Sequence, residues 1–526
     1  MVKKNKLCLE FDTSPTPDEF RQTTGSFWKL NGWQAWACFQ VLLYGIVGFI
    51  GWNRTLIPDE IRPLLLAAKP LKEQLEFARL DLVQTPLSYL FQRLWLNIFG
   101  HTDGAAKASA LLIGSLTLVL FTYLASQITP HWRLTTFLFS VPYLRIGSAV
   151  NLVRMYGLLL LLTVVAILIW EQWRKQPHTS RLMAWALVMT LMAYTHGSGL
   201  LLLPAFVLIN WLYGPRRWTF TIAAAIPCLA LLPWIAYVFP VYQSRGIEAN
   251  VIAIRKNPTI VLGELPFFFL SGEDPGGGTP LPPLHAQALR PTLKIAAGVL
   301  HLMLLFLAGR KIYQLWSLPR RGEDMARWFW ISVLLCGTPI TLLYGFSLGL
   351  TPVLHARYVL VGLTGYWSLL VFLGYFNGRA SKMILIGIFL PWVLASILLT
   401  LKQNMTPSPA RQGTLLVARE MRDSDLILCD KHMPLGWQVY WEWTRRLGRS
   451  GHVEILPSRM ATWLQSILPW KELDRLDLEG VDRIWFFYSG PRFVASVTEF
   501  LGARGFVLDK QYNGTFPFLL VFKKSV

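Results

Sequence analysis

Long apolar runs alternate with short basic connections along most of this chain. A helix needs ~20 residues to cross the hydrocarbon core of a bilayer, and somewhat fewer if it is tilted or flanked by long charged side chains. Runs of that kind are predicted near 34–52, 105–127, 134–150, 152–170, 182–196, 198–213, 218–240, 292–309, 328–349, 358–376 and 382–400. The pattern is that of a polytopic α-helical membrane protein with about 11 transmembrane helices, give or take one, between residues 34 and 400.

Three segments depart from it. In 53–104, "LKEQLEFARLDL" and "TPLSYLFQRLWLNIFG" carry apolar residues at helical spacing with charges between them, as expected of helices lying in the membrane interface. In 241–291, "EDPGGGTPLPP" interrupts any continuous helix and reads as a loop, either a lid or a passive linker. After residue 401 the apolar runs shorten to "DLILCD", "VEILP" and "RIWFFYS", alternating with helix-like stretches. The final "FVLDKQYNGTFPFLLVFKK" reads as a hairpin turning at Asn513-Gly514. Residues 401–526 are therefore expected to form a small α/β domain.

Composition supports membrane integration: of 526 residues 53% are hydrophobic and 15% charged, and the mean hydropathy is +0.40, too apolar for an ordinary soluble enzyme. The net charge of +20 does not point to nucleic acid, because Lys and Arg fall in short runs between apolar stretches rather than in one patch. Those runs set the topology. With residues 1–33 cytoplasmic and the first span retained as an anchor, the short inner connections hold Arg133, Arg174, Lys175, Arg181, Arg216, Arg217, a basic group from Arg310 to Arg327, and Arg379 and Lys382, whereas the short outer ones hold essentially Arg357 alone. Loops 53–104 and 241–291 and the C-terminal domain then face outward from a plasma (inner) membrane. Five scattered cysteines without a CxxC indicate neither a disulfide framework nor a cysteine zinc site.

Polar residues recur on that outer side. "LIPDEIRPLLLAA" places Asp59 and Glu60 just beyond the first span; "VQTPLSYL" follows, with Gln84 and Tyr89, after Asp81; "NLVRMYGLLLLL" opens the fourth span with Arg154 and Tyr156; "THGSGLLLL" brings His196 to a turn; and "LHARYVL" contributes His355, Arg357 and Tyr358. Each has a structural alternative. Pro58 and the acidic pair suit a helix start, the arginines suit snorkelling to head groups, the tyrosines suit an aromatic belt, and His196 suits a satisfied turn. Their convergence on one face is what favours a site for a phosphate and a proton acceptor.

In this order the motifs resemble the GT-C superfamily of membrane glycosyltransferases, in particular bacterial relatives of protein O-mannosyltransferases and lipid A aminoarabinose transferases. The family's acidic first external loop is matched by "PDE", its His-Pro-Pro-Leu-like stretch by "VQTPLSYL", and its later motifs by "VRMY", "THGSGLLLL" and "ARY". The resemblance implies transfer of a sugar from a polyprenyl-phosphate carrier to a lipid, glycan or protein acceptor, with inversion. Asp59 would be the base, Glu60 its positioning partner, and Arg154, Tyr156, Arg357 and Tyr358 would hold the donor phosphate, with Asp81, Gln84, Tyr89, His196 and His355 as further pocket candidates. No cofactor is certain. Relatives carry His or an acidic residue before the Pro-Pro pair where this chain has Gln84-Thr85-Pro86, so a divalent metal, though possible, is doubtful. The alternatives are a transporter or flippase for a lipid-linked saccharide, or a non-catalytic subunit of an envelope polysaccharide assembly.

Overall fold

The computed structural model describes residues 32–50, 52, 56, 58–81, 85–128, 133, 136, 155–245, 258–271, 295, 298, 299, 306, 323–349, 354, 356–366, 368, 369, 409–422, 424–429, 453–455, 478–487, 491–512 and 519–525. Most of these are helical. The N-terminal part comprises α1 (Gly32–Ile50), α2 (Pro58–Ala67), α3 (Leu71–Asp81), α4 (Pro86–Phe99) and α5 (Asp103–Ile128). Next come α6 (Met155–Lys175), α7 (Thr179–Thr195), α8 (Leu203–Tyr213), α9 (Arg217–Arg245), α10 (Pro258–Ser271) and α11 (Glu323–Gly349). Among the described residues four segments, Asp103–Gln127, Met155–Lys175, Arg217–Val241 and Arg327–Leu348, are long and apolar enough to cross a membrane.

The packing of α1 shows how such a chain divides its surface. Ala37, Gln40, Tyr44 and Val47 are buried, while Phe39, Leu42, Ile46 and Phe49 on the other side are exposed. That arrangement wastes burial in water and costs nothing against acyl chains. The inward Gln40 accepts a 2.7 Å hydrogen bond from Thr122 of α5 at its side-chain oxygen, which satisfies that oxygen and the Thr122 hydroxyl in the apolar interior. Behind this pair, Trp173 of α6, Trp185 of α7, Phe206 of α8 and Phe220 of α9 form an aromatic chain with centroids 4.4–5.5 Å apart. These rings knit four consecutive helices into one core.

The two stretches expected to lie in the membrane interface fold as helices, α3 and α4. On α3, Arg79 pairs with Glu76 at 3.0 Å and donates to the Tyr237 carbonyl of α9, and the Tyr237 hydroxyl donates to Glu76 at 2.9 Å. That hydroxyl, more than the adjacent Arg79, holds the Glu76 carboxyl below its usual range against the opposing effect of burial.

Two predicted spans do not begin as straight helices. The run at 198–213 starts as a 3₁₀ helix, Gly197–Leu202, before α8, and the run at 358–376 starts inside another, Ala356–Gly362. Loop 241–291 also contains more structure than expected, since α9 extends to Arg245 and α10 lies within it. The spans expected at 134–150 and 292–309 fall outside the described residues save isolated helical positions, and 382–400 and the "EDPGGGTPLPP" stretch fall outside them entirely.

Beyond residue 401 lie α12 (Pro409–Glu420), β1 (Asp425–Cys429), β2 (Val453–Ile455), β3 (Arg483–Phe487), α13 (Pro491–Gly502), β4 (Phe506–Tyr512) and β5 (Leu519–Lys524). The strands form one sheet in the order β2-β1-β3-β5-β4, with β1 parallel to β2 and β3, and with β5 antiparallel to β3 and β4. Alternation along the strands gives two apolar faces. Leu428, Ile484, Phe486, Leu520 and Phe522 cluster with Val497 and Leu501 of α13, and Ile427, Trp485, Phe487 and Val521 with Val417 of α12. Buried Asp425 clasps the sheet by accepting from Arg483, Trp485 and the Arg422 amide.

Candidate functional site

Pro58 occupies the first position of α2, where its missing N–H costs nothing, and Asp59 and Glu60 follow in the same turn. Ile61, Leu64 and Ala67 pack with Leu56, with Leu96 of α4 and with Ala106 and Ala110 of α5. Glu60 lies one turn before Leu64, on that inward face, and is fully buried. A carboxylate placed only to meet the helix dipole has no reason to leave water, because burying it costs several kcal/mol unless partners compensate. For Asp59 and Asp81 the structure describes the backbone, at the first turn of α2 and the last residue of α3, and Gln84 lies outside the described residues.

Thr85 precedes α4 in an extended conformation, with Pro86 opening the helix. Its buried hydroxyl does not cap that helix but donates to the Ala193 carbonyl in the last turn of α7 at 3.1 Å. This bond ties "VQTPLSYL" to the end of α7, two residues before "THGSGLLLL" begins. Tyr89 is buried against Phe77 of α3 with ring centroids 5.9 Å apart, and its carbonyl accepts from Gln74 at 2.9 Å.

The end of α7 is where the later motifs meet. The backbone N–H of His196 closes the helix on the Met192 carbonyl at 3.0 Å, and the residue itself is extended, with φ −164° and ψ 134°. The chain then reverses into the 3₁₀ helix, and the His196 ring folds over its start. Nδ1 accepts from the Ser198 amide at 3.2 Å and lies 2.7 Å from the Ser198 hydroxyl. At Gly199 a Cβ would stand 2.9 Å from the Met192 carbonyl oxygen and 3.0 Å from its carbon, so the reversal requires glycine there.

The ring of Tyr156, in the first turn of α6, lies 5.9 Å from that of His196, and the ring of Tyr358, in the second 3₁₀ helix, lies 5.4 Å from it on a separate contact. Tyr156 and His196 are buried and Tyr358 half-buried. The second 3₁₀ helix is held on α11 from both sides: before it the Leu354 amide donates to Ser347 at 2.7 Å, and at its end a Cβ on Gly362 would stand 3.1 Å from the Cys336 carbonyl oxygen, with Gly365 just beyond pressed still closer to the Cys336 nitrogen. Arg357 immediately precedes Tyr358 and is described by its backbone alone; Arg154, two residues before Tyr156, and His355 lie outside the described residues. Among the described residues no group of three His, Cys, Asp or Glu side chains converges as metal ligands.

At the other end of α6, Glu171 pairs with Arg174 at 2.8 Å, with Lys175 at 3.6 Å and with Arg327 of α11 at 3.7 Å. At 1.5 Å per residue this basic cluster is ~27 Å along the helix from Tyr156. The ring cluster and the basic cluster therefore occupy opposite ends of a helix of bilayer length.

Ser198 and Thr85, both inside these motifs, are not among the site residues the sequence predicts. The available signal was local: a Gly-Ser-Gly inside an apolar run breaks helix propensity, and a Thr before Pro is a helix-start residue free to bond elsewhere.

No family model matches the chain, and no curated protein matches it in sequence. Solved structures are similar to it over most of its length. One is ArnT from Cupriavidus metallidurans bound to undecaprenyl phosphate, 11% identical over 93% of this chain and 98% of that one, with a TM-score of 0.49. ArnT in the apo state is 14% identical, covering 93% and 97%, at 0.42. The archaeal oligosaccharyltransferase AglB from Archaeoglobus fulgidus, in complex with an inhibitory peptide and a dolichol-phosphate, is 10% identical, covering 86% and 69%, at 0.40.

Proposed function

We propose that this protein is a multi-pass membrane glycosyltransferase that moves a sugar from a polyprenyl-phosphate carrier to an acceptor hydroxyl at the outer face of the membrane, with inversion. The observation that carries the reading is the meeting of Tyr156, His196 and Tyr358, drawn from three separated motifs, at the end of α6 opposite its basic cluster. Two of these motifs bring an arginine next to the cluster in sequence, Arg154 and Arg357. The Thr85–Ala193 bond joins α4 to the same end of α7, and α4 in turn packs on α2, which carries Asp59 and Glu60.

In this reading the acceptor hydroxyl gives its proton to the Asp59 carboxylate as its oxygen attacks the anomeric carbon. The bond from that carbon to the carrier phosphate breaks, and its electron pair stays on the phosphate oxygen. Arg154 and Arg357 meet the growing charge with forked donors, and Tyr156 and Tyr358 add hydroxyl donors. Buried Glu60 positions the first turn of α2. Orientation follows the distribution of basic residues, with residues 1–33 inside and 401–526 outside. The sugar transferred, hexose or pentose, follows from the pocket lining.

A transfer assay tests the proposal: purified protein, a panel of radiolabelled polyprenyl-phosphate sugars, and candidate lipid, glycan and peptide acceptors. Release of polyprenyl phosphate coupled to labelled acceptor is the expected result. Movement of intact lipid-linked sugar across a vesicle membrane without transfer would instead assign the protein to the transporter class.

A further inference from the structure

His196 carries a second message in the way its ring is held. A neutral imidazole has one N–H and one bare nitrogen, and which is which follows from the neighbours. At Nδ1 the neighbour that cannot change role is the Ser198 backbone amide, a donor 3.2 Å away. Facing a fixed donor, Nδ1 is the bare nitrogen, and the Ser198 hydroxyl at 2.7 Å donates to the same lone pair. The proton of the neutral ring is then on Nε2, on the edge of the imidazole away from Ser198. The turn that makes this arrangement is itself enforced, because Gly199 is pressed against the Met192 backbone and the His196 amide is spent in closing α7.

We propose that Ser198 is a positioning residue: by occupying Nδ1 it fixes His196 as an Nε2–H donor beside Tyr156 and Tyr358, where that N–H hydrogen-bonds a phosphate oxygen of the polyprenyl carrier. This rests on the glycosyltransferase reading given above. Its chemical sense is that a donor already oriented needs no reorganisation when charge grows on the leaving phosphate. The neutral imidazole supplies direction, and in this reading Arg154 and Arg357, from the same motifs as the two tyrosines, supply charge. The arrangement requires no proton transfer through His196, which distinguishes it from an acid–base role.

Two substitutions separate this role from a merely structural one. In H196Q the amide nitrogen can reach the place of Nε2, so the donor is kept while the bond at Nδ1 is lost. In H196N the short side chain keeps a polar atom near Nδ1 for the Ser198 amide, so the turn stays capped, but the distal donor is gone. The experiment uses the full chain in lipid nanodiscs, with isotope-labelled histidine nitrogens read by NMR and undecaprenyl phosphate as the probe.

The resonance lost in H196N is expected to report a bare Nδ1 and a protonated Nε2, and the Nε2 signal should shift when the lipid is added. Undecaprenyl phosphate binding should weaken about tenfold or more in H196N, the loss expected for one hydrogen bond to a charged group, and clearly less in H196Q. S198A should weaken binding by a smaller factor and broaden the imidazole signal, because one of two restraints on Nδ1 is removed. A protonated Nδ1 in the wild-type protein, or H196N binding the lipid as tightly as wild type, would overturn the proposal. Wild-type protein that binds no polyprenyl phosphate at all would overturn the functional reading on which it rests, whatever tautomer is found.

Discussion

A backbone contact beside His196, at Gly199, supports a paired test. A Cβ on residue 199 would stand 2.9 Å from the Met192 carbonyl oxygen and 3.0 Å from both its carbonyl carbon and its Cβ, whereas ordinary contact begins near 3.4 Å. Gly199→Ala must therefore push the 3₁₀ helix about 0.5 Å from the last turn of α7. Two of the three atoms are backbone, so no side-chain rotation relieves the clash. Overpacking of this kind costs ~1–3 kcal/mol. The strain also falls on a turn whose first residues hold the His196 ring, and displacement of a reacting group by ~1 Å can reduce turnover ~100-fold. At Gly197, two residues earlier, a Cβ would meet nothing within 4 Å. Gly197→Ala should be neutral, or stabilising by ~0.4–1 kcal/mol through the unfolded chain. The assay compares thermal stability in detergent with the rate of sugar transfer for the two variants. A Gly199→Ala protein with wild-type stability and turnover, or a Gly197→Ala protein damaged to the same degree, would refute the account of this turn.

Topology is checked by cysteine accessibility: positions 178 and 316 should label from the cytoplasm and 276 and 450 from outside, and finding 178 and 450 on one side would sink the orientation. Asp59→Asn should fold and bind donor lipid yet lose nearly all transfer, while Glu60→Gln should be milder; a total loss confined to Glu60→Gln would move the base one residue along. Arg357→Ala should impair donor use more than acceptor use by ~2–4 kcal/mol of transition-state stabilisation, and unchanged kinetics at limiting donor would leave it a snorkelling residue. In the C-terminal sheet burial alone would raise the Asp425 carboxyl, but bonds from Arg483, Trp485 and the Arg422 amide outweigh it and hold the group below its ordinary range. A lowered folded value means this stabilisation is complete above the ordinary Asp value of ~3.9 and lost as pH falls through the lowered one. Acid unfolding of Asp425→Asn should show a flatter limb there.

What the sequence determined by itself is what local chemistry determines. Pro58, Pro86 and Asp103 begin helices, and the N–H of Gly100, at φ 89°, closes α4 on the Leu96 carbonyl. Each is a rule about a few adjacent residues and needs no partner. The same holds for the long apolar helices and for the strands at "DLILC", "VEI" and "RIWFF", where period and side-chain type suffice. The motifs could be named for a similar reason, because phosphate and proton chemistry restrict residue type.

Tertiary structure decided the rest. The apolar run is continuous through 198–213, so nothing in hydropathy marks the 3₁₀ reversal that the Gly199–Met192 contact enforces. A carboxylate at a helix start reads as solvated, and only the packing of α2 on α4 and α5 shows that Glu60 is buried. Thr85 and Ala193 are 108 positions apart, yet one hydrogen bond joins them. Tyr156, His196 and Tyr358 become one cluster only because α6, α7 and the 3₁₀ helix on α11 end at the same place. Periodicity says which face of a helix is apolar, but not which helix that face will meet, since any apolar stripe can pack against any other until shape, glycine spacing and loop length select among them.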